Sequence, residues 1–302
     1  MKLKIPRAIK IRLYYIKNYK KGFNLIFLFP GFLRDLIGNH CFFKALIKNS
    51  PDINIDQSNK NYLLLRAGKY NLKFPNKCFY EGDFFDIMYP NLHVDHPPIQ
   101  SCIYDNPFYE SEGVYEKFGS ILSKGDYVID AGANVGMFSI IADDKVGNTG
   151  KVFAFEPLKE ISDILKENLE KNNCKNTYIE NLILGEKNAD IKFYYNLEKN
   201  YNASSKLFHT EDDKNVSLRQ ITLDEFVKER NIQRIDFIKA DIEGAERDLL
   251  NGAKEVIRKF RPKISIRTYH LPDDPQILED IIKKLVPEYN IVQSNKTLYA
   301  WI

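Results

Sequence analysis

Short apolar runs alternate with amphipathic stretches along the last two-thirds of the chain. The runs have the length of buried strands, and the stretches between them repeat apolar residues at helical spacing. The predicted strands are 127–129, 151–155, 177–184, 235–239, 263–267 and 298–301, and the predicted helices are 137–142, 158–172, 244–260 and 275–285. This alternation predicts an α/β fold with a mostly parallel sheet covered by helices on both faces.

Other patterns interrupt or precede this alternation. Residues 191–195 and 216–221 predict an inserted pair of strands, and the polar stretch 200–215 between them predicts a loop. Upstream, 1–60 has a helical and irregular pattern, 62–65 and 70–74 predict a hairpin around Gly68, and 113–123 has helical spacing. We therefore divide the chain into an N-terminal extension, residues 1–110, and an α/β domain, residues 111–302.

Composition and cysteine spacing narrow the class of protein. Hydrophobic residues make up 44% of the chain and charged residues 28%, as in ordinary globular proteins. The four cysteines are far apart and form no C-x-x-C pair, which favours reduced thiols over a disulfide framework. No apolar run approaches the roughly 20 residues that cross a bilayer. We therefore expect a cytoplasmic protein.

The start of the chain carries an uneven charge. Eight Lys and Arg residues lie between positions 2 and 21, before the first acidic residue, Asp35. Such a basic arm can contact an anionic membrane or bind phosphates. It can equally be a solvated terminal arm. Both interpretations stay open, so the location can be peripheral to a membrane.

The first candidate site is the segment 130–136 (DAGANVG), which follows a predicted strand and opens a helix. Gly132 and Gly136 allow a sharp turn and a close approach to a ligand. Glu156 ends the next strand, where folds of this type place a carboxylate on ribose hydroxyls. Asp130 would repel a pyrophosphate but attract the cationic methionine end of S-adenosylmethionine. The alternative is an ordinary turn that Asp130 caps.

The second candidate site is the segment 239–246 (KADIEGAE), at the carboxyl end of a later strand. Open α/β sheets bind ligands outside these strand ends. We therefore expect Asp241 and Glu243 to face the same crevice as Asp130. For Glu246 we prefer the role of an acid that complements the start of a helix.

Both segments, together with Glu156-Pro157 and Thr222-Leu223-Asp224, resemble in this order the FkbM family of methyltransferases. The resemblance runs from about residue 124 to the end of the chain. It implies a Rossmann-like class I methyltransferase fold with a seven-stranded, mostly parallel sheet. It also implies S-adenosylmethionine as donor and O-methylation of a sugar or other hydroxyl compound. By this resemblance the cofactor pocket is lined by Asp130, Gly132, Asn134, Gly136, Glu156 and Asp241, with Asp241 near the transferred methyl.

A histidine after the last parallel strand is the candidate base. Many family members carry Glu-x-His there, whereas this chain has Thr268-Tyr269-His270 and matches a subgroup through Tyr269, His270 and Asp274. A hydroxyl acceptor is a poor nucleophile until its proton is removed, and histidine suits that task near neutral pH. We therefore assign catalytic roles to Asp241 and His270. A structural, hydrogen-bonded histidine is the alternative.

Metal and nucleic-acid roles have less support. His93 and His96 are spaced like metal ligands on a helix, but Pro90, Pro97 and Pro98 argue against a helix, and we expect no metal. Methylation of RNA would use the basic arm. Against it, the chain has no Asn-Pro-Pro-Tyr-like motif and no known RNA-binding module. The leading prediction is O-methylation of a sugar, glycan or glycolipid, with RNA methylation and a non-catalytic cofactor-binding protein as alternatives.

Overall fold

The computed structural model describes residues 53–56, 62–67, 69–75, 114–195, 203–204, 214–294 and 296–302. Its strands are β1 (Ile53–Asp56), β2 (Tyr62–Ala67), β3 (Tyr70–Pro75), β4 (Tyr127–Ala131), β5 (Lys151–Phe155), β6 (Thr177–Glu180), β7 (Ile183–Leu184), β8 (Ala189–Tyr195), β9 (Ala203–Ser204), β10 (Lys214–Ile221), β11 (Phe237–Ala240), β12 (Lys263–Arg267), β13 (Asn290–Ser294) and β14 (Thr297–Trp301). Its helices are α1 (Met137–Val146), α2 (Lys159–Lys171), α3 (Leu223–Glu229), α4 (Glu246–Asn251), α5 (Lys254–Phe260) and α6 (Asp274–Leu285).

Seven strands form the central sheet, in the order β13-β14-β12-β11-β4-β5-β6. The strands β12, β11, β4, β5 and β6 are parallel, and β14 pairs antiparallel with both β12 and β13. After β4 the chain continues on one side to β5 and later returns on the other side to β11. The strand order therefore reverses at the carboxyl end of β4, which is where sheets of this type bind ligands. The predicted seven-stranded, mostly parallel Rossmann-like sheet is confirmed.

Two apolar layers cover the sheet, one on each face. Successive residues of β4 alternate between them, since Val128 packs with α1 and α2 while Ile129 packs with the layer that contains α3 to α6. Both side chains are fully buried. Burial of one such side chain contributes about 1.5–3 kcal/mol. This double burial explains why the strands appear in the sequence as continuous apolar runs.

A second, smaller sheet has the order β7-β10-β8-β9. Its main pair is the antiparallel ladder of β8 and β10, which matches the predicted inserted strands. The motif 222–224 follows this sheet and has structural roles. Thr222 caps α3 by accepting a hydrogen bond from the Glu225 amide at 3.1 Å, and the Asp224 carboxylate accepts one from the Val256 amide at 2.9 Å.

The predicted hairpin is present as the antiparallel pair β2 and β3. It contacts the α/β domain through α2, because Asn168 accepts a hydrogen bond from the Lys73 amide at 2.7 Å and donates one to the Lys73 carbonyl at 2.9 Å. The division of the chain at residue 110 stays a prediction.

Four sequence predictions differ from the structure. Residues 114–123 form no helix, because Phe118 has φ +56° and Gly119 lies so close to the Trp301 indole that a Cβ there would meet it at 2.3 Å. Residues 53–56, predicted as helical or irregular, form strand β1. The predicted strand 177–184 is divided between two sheets. The predicted helix 244–260 is broken into α4 and α5 at Gly252.

Several predictions lie outside the described residues. These are the basic arm, the His93 and His96 pair, and most of the loop 200–215. Among the residues that the structure does describe, none of the helices has the length and apolar character needed to span a membrane.

Candidate active site

The loop after β4 turns sharply because three of its residues have left-handed backbone conformations. Gly132, Asn134 and Gly136 have φ of +76°, +50° and +94°. A Cβ on Gly132 would lie 1.9 Å from the Asp241 carbonyl oxygen. The Asp241 amide in turn donates a hydrogen bond to the Ala131 carbonyl at 3.1 Å. The two predicted segments therefore meet at the carboxyl end of β4, where the strand order reverses, and only glycine fits at position 132.

The Asp130 side chain is fully buried beneath this loop. Its carboxylate lies 3.0 Å from the Lys239 ammonium and accepts a hydrogen bond from the Ser139 hydroxyl at 2.5 Å. Lys239 also donates to the carbonyls of Gly132, at 2.7 Å, and Ala131, at 3.3 Å. The Asp130 charge is thus opposed by Lys239 inside the protein and is not open to the crevice. Its place in a cofactor pocket stays a prediction.

Glu156 holds the same loop from the end of β5. Its carboxylate accepts hydrogen bonds from the Asn134 amide at 3.1 Å and the Leu158 amide at 3.0 Å. Burial raises the pKa of Glu156 to about 7, although both backbone hydrogen bonds act to lower it. Glu156 therefore changes its charge near neutral pH while it contacts the predicted cofactor loop.

Asp241 lies directly after β11, near the cationic side chains of Arg267 and Lys239 and near His270. Its Oδ2 accepts a hydrogen bond from the Tyr115 hydroxyl at 2.6 Å and lies 3.6 Å from Arg267 Nε. Burial acts to raise the pKa of Asp241, but Arg267, Lys239 and His270 together hold it below its usual range. The carboxylate is therefore ionised at neutral pH.

Three carboxylates surround His270. Its Nδ1 lies 3.0 Å from Glu246 Oε1, and its Nε2 lies 3.5 Å from Glu243 Oε2 and 3.6 Å from Asp241 Oδ1. The side chain is only 3% exposed. Burial acts to lower the pKa of His270, but Glu246, Asp241 and Glu243 outweigh it and raise the pKa to about 9. The imidazole of the free protein is therefore protonated at neutral pH.

Local backbone geometry brings these acids together. Glu243 and Gly244 both have left-handed conformations, with φ of +53° and +91°. The Ile242 amide donates to Glu246 Oε1 at 2.9 Å, which closes the turn. Glu246 is the first residue of α4, as its sequence role as a helix-start acid implied, and its carboxylate also faces His270.

Asp274, at the start of α6, fixes the loop that carries His270. The Asp274 carboxylate accepts hydrogen bonds from the Leu271 amide at 3.0 Å and from Arg247 Nε at 2.6 Å. Asp274 is fully buried at the start of α6. In the segment that matches the family subgroup, His270 therefore faces the acidic side chains of the candidate site, whereas Asp274 positions the loop.

Sequence reasoning missed Tyr115 and gave Lys239 no role. Tyr115 lies in a segment that we predicted as a helix, and it accepts a hydrogen bond from Arg267 Nε at 3.1 Å as well as donating to Asp241. No local pattern marks it. Lys239 could have been found, because it is a lone charge in the otherwise apolar strand β11.

Comparison with known proteins gives a family match and several distant relatives. Residues 130–290, more than half of the chain, match the model of the methyltransferase FkbM domain. Methyltransferase 1 of Beauveria bassiana is 27% identical over 42% of this chain and 57% of its own length. The hexuronic acid methyltransferase AglP of Haloferax volcanii is 24% identical over 57% of this chain and 67% of its own length. The match to the first of these relatives thus spans little more than half of it.

A solved structure of an FkbM methyltransferase from Methylobacillus flagellatus KT is similar at 18% identity and a TM-score of 0.44. The match covers 74% of this chain and 56% of that one.

Proposed function

Since the chain belongs to the FkbM methyltransferase family, with S-adenosylmethionine as its methyl donor, we propose that it methylates a hydroxyl group of a sugar, glycan or glycolipid. The observation that supports this most is the contact between the glycine loop and the segment carrying Asp241. The loop carries the predicted cofactor residues, and Asp241 begins the cluster of acids around His270. Donor and acceptor chemistry would therefore meet at one edge of the sheet.

The residues at this edge fit the cofactor. The left-handed loop 132–136 permits close approach of a ligand to the backbone, and Glu156 stands at the end of the adjacent strand, where a carboxylate can bind ribose hydroxyls. When bound, the cofactor supplies a methyl group on a sulfonium. The C–S bond breaks as a C–O bond forms, which leaves S-adenosylhomocysteine and a methyl ether and releases the hydroxyl proton.

The protein's part in this reaction is to align the acceptor and to remove its proton. Asp241 is ionised, is fixed on one side by Tyr115, and has 19% of its side chain exposed, so it can accept a hydrogen bond from the acceptor hydroxyl. Alignment of this kind provides much of the rate enhancement in a displacement reaction. His270 remains the candidate proton acceptor. To act so, it must first lose the proton that its three acids stabilise.

A sugar is the preferred acceptor because AglP is named for the methylation of a hexuronic acid. We would first titrate the protein with S-adenosylmethionine by calorimetry and then screen sugars, beginning with hexuronic acids, for transfer of a labelled methyl group. Saturable cofactor binding with methyl transfer to oxygen is expected. A well-folded protein that binds no S-adenosylmethionine would contradict the proposal.

Two substitutions separate binding from chemistry. Asp241→Asn and His270→Ala should each lower turnover strongly, and His270→Ala should leave cofactor affinity intact. Glu255→Gln is the matched control, because Glu255 lies in the first turn of α5 with 76% of its side chain exposed. Unchanged turnover in His270→Ala with intact cofactor binding would remove His270 from the catalytic roles.

The basic arm leads to a proposal about location. A lipid-linked acceptor would suit an arm that contacts an anionic membrane through its Lys and Arg residues. Co-sedimentation of the full chain with phosphatidylserine vesicles, compared with neutral vesicles, tests this proposal. Equal binding to both would contradict it.

A further inference from the structure

Asp241, Glu246 and His270 form a cluster of metal-ligand type at the candidate active site. Each offers one ligand atom, and these atoms all lie within 4.8 Å of one another. His270 Nδ1 is 3.0 Å from Glu246, and its Nε2 is 3.6 Å from Asp241. Ligand bonds of about 2.0–2.2 Å place neighbouring ligand atoms of one metal ion roughly 3–3.5 Å apart. One ion can bind only one of the two ring nitrogens. The 3.0 Å between Nδ1 and Glu246 falls within this range, and the wider separations, up to 4.8 Å, would have to shorten when an ion binds.

Both carboxylates of the cluster have one oxygen that accepts a hydrogen bond from the protein. Asp241 Oδ2 is held by Tyr115 and lies near Arg267, while Oδ1 faces His270. Glu246 Oε1 accepts from the Ile242 amide, while Oε2 is buried without a hydrogen-bond partner among the described residues. Because Glu246 is fully buried, water does not satisfy that oxygen from the surface. A buried carboxylate oxygen without a partner is rare in proteins, and a bound ion is one arrangement that would satisfy it.

We propose that Asp241, Glu246 and His270 bind a divalent transition-metal cation. The mixed set of one imidazole and two carboxylates suits ions such as Mn²⁺ and Zn²⁺ better than Ca²⁺ or Mg²⁺, which prefer oxygen ligands alone. Glu243 lies beside the cluster, 3.5 Å from His270 Nε2, and its side chain is 28% exposed. It can add a further oxygen from the solvent side.

The charges around the cluster favour a cation. The Asp130 charge is opposed by Lys239, and the Asp241 charge is opposed by Arg267 on its far side. His270 is a cationic side chain that the structure places against the carboxylates of Asp241, Glu243 and Glu246. When the imidazole is neutral and acts as a ligand, a dication would balance the negative charge of these carboxylates.

The role of the ion in catalysis rests on the proposed function, whereas its binding does not. The partly exposed sides of Asp241 and Glu243 leave room for an acceptor hydroxyl as a further ligand. A metal-bound hydroxyl loses its proton more readily. That proton would pass to water on the open side, and the oxygen would form the C–O bond as the C–S bond breaks. Under this proposal His270 is a metal ligand and does not act as the base.

The test uses the full chain after treatment with EDTA and desalting. Mn²⁺ is titrated, and the free ion is followed by electron paramagnetic resonance, with Zn²⁺ as competitor. We expect one saturable site per chain that Zn²⁺ displaces. Glu246→Gln and Asp241→Asn should each weaken binding at least about tenfold, since even loss of groups outside the coordination shell costs that much in metal sites. Glu255→Gln should bind like the wild type.

Circular dichroism and urea unfolding show whether each variant is folded, and Asp241→Asn serves if Glu246→Gln does not fold. The proposal would be overturned if the wild type shows no saturable Mn²⁺ binding. It would also be overturned if both folded variants bind Mn²⁺ with the affinity of the wild type. Methyl transfer without Mn²⁺ binding would refute the metal site alone. Mn²⁺ binding by a protein that binds no S-adenosylmethionine would instead refute the proposed function.

Discussion

Removal of the Lys239 ammonium should destabilise the protein much more than removal of a surface lysine. Lys239 and Asp130 form an ion pair at 3.0 Å, and their side chains are 4% and 0% exposed. Lys239→Met keeps the length of the side chain but leaves the Asp130 carboxylate buried, with the Ser139 hydroxyl as its remaining hydrogen-bond donor among the described residues. Loss of one partner of a buried pair costs about 3–5 kcal/mol. The carbonyls of Gly132 and Ala131 also lose the hydrogen bonds that Lys239 donates, although Ala131 keeps the one from the Asp241 amide.

The assay is urea unfolding followed by circular dichroism, with a double-mutant cycle. Lys239→Met should lower the free energy of unfolding by about 3–5 kcal/mol, and adding Asp130→Asn should restore part of it, because the uncompensated charge is then absent. Lys159→Met is the matched control. Lys159 pairs with Asp163 on the surface of α2, where such pairs contribute about 0–1 kcal/mol. Equal losses in Lys239→Met and Lys159→Met would refute the reasoning.

Three further predictions concern the glycine loop after β4, the pH dependence of stability, and the hydrogen bond from Tyr115 to Asp241. Gly132→Ala should abolish binding of S-adenosylmethionine in calorimetry because its Cβ would meet the Asp241 carbonyl at 1.9 Å, whereas Gly147→Ala, also at positive φ but 3.8 Å from its nearest neighbour, should retain binding. The pKa of Glu156 is about 7 in the folded chain, compared with its ordinary value of 4.5. Between these pH values the folded state keeps the proton and the unfolded state does not. The free energy of unfolding should therefore fall as pH rises from 4.5 to 7. Urea unfolding at several pH values should show this fall in the wild type and a smaller fall in Glu156→Gln; an unchanged fall would contradict the assignment. Tyr115→Phe keeps the ring but removes the hydroxyl that donates to Asp241, and hydrogen bonds to charged groups contribute about 1.5–3 kcal/mol, so turnover should fall about 10- to 100-fold with cofactor affinity retained. Wild-type turnover in Tyr115→Phe would contradict that role.

The fold was predictable because its signals are local. Strand 151–155 and helix 275–285 match the structure to within one residue, since each is a continuous apolar run or a regular amphipathic repeat. The failures came from tertiary contacts. Gly119 lies in a turn against the Trp301 indole, and Gly252 lies so close to the Gly185 carbonyl that a Cβ would meet it at 1.9 Å. No neighbouring residue in the sequence reports either contact.

The candidate site was predictable only where a motif follows a strand. Asp130 lies near the end of one parallel strand, and Glu156 and Asp241 directly follow two others, so all three lie at one sheet edge, where the end of β4 and the loop after it hydrogen-bond to both neighbouring strand ends. What the motifs could not give is the partner of each side chain. Asp130 was expected to attract a cationic ligand, but the adjacent strand supplies Lys239 for it. Tyr115 reaches Asp241 across 126 positions of sequence.

Strand register accounts for these hidden partners. Lys239 is the register partner of Asp130 on one side and of Ser265 on the other, and Arg267 is the register partner of Thr297. Register partners carry their side chains on the same face of a sheet, and residues two apart along a strand share that face. Asp241 therefore follows Lys239 on the face that Arg267 also occupies.

This face thus carries a row of polar side chains across the four strands β4, β11, β12 and β14, whose other positions are mainly apolar. Asp130 pairs with Lys239 at 3.0 Å, and Arg267 donates to Thr297 at 2.6 Å. A buried polar row of this kind is costly unless its groups find partners. A stable core would be simpler to build with apolar residues at these positions. The row ends at Asp241, where the loop after β4 meets the segment that carries His270. The free-energy cost of burying the row is therefore better explained by the fixed charge of Asp241, which can face a ligand, than by a contribution to stability.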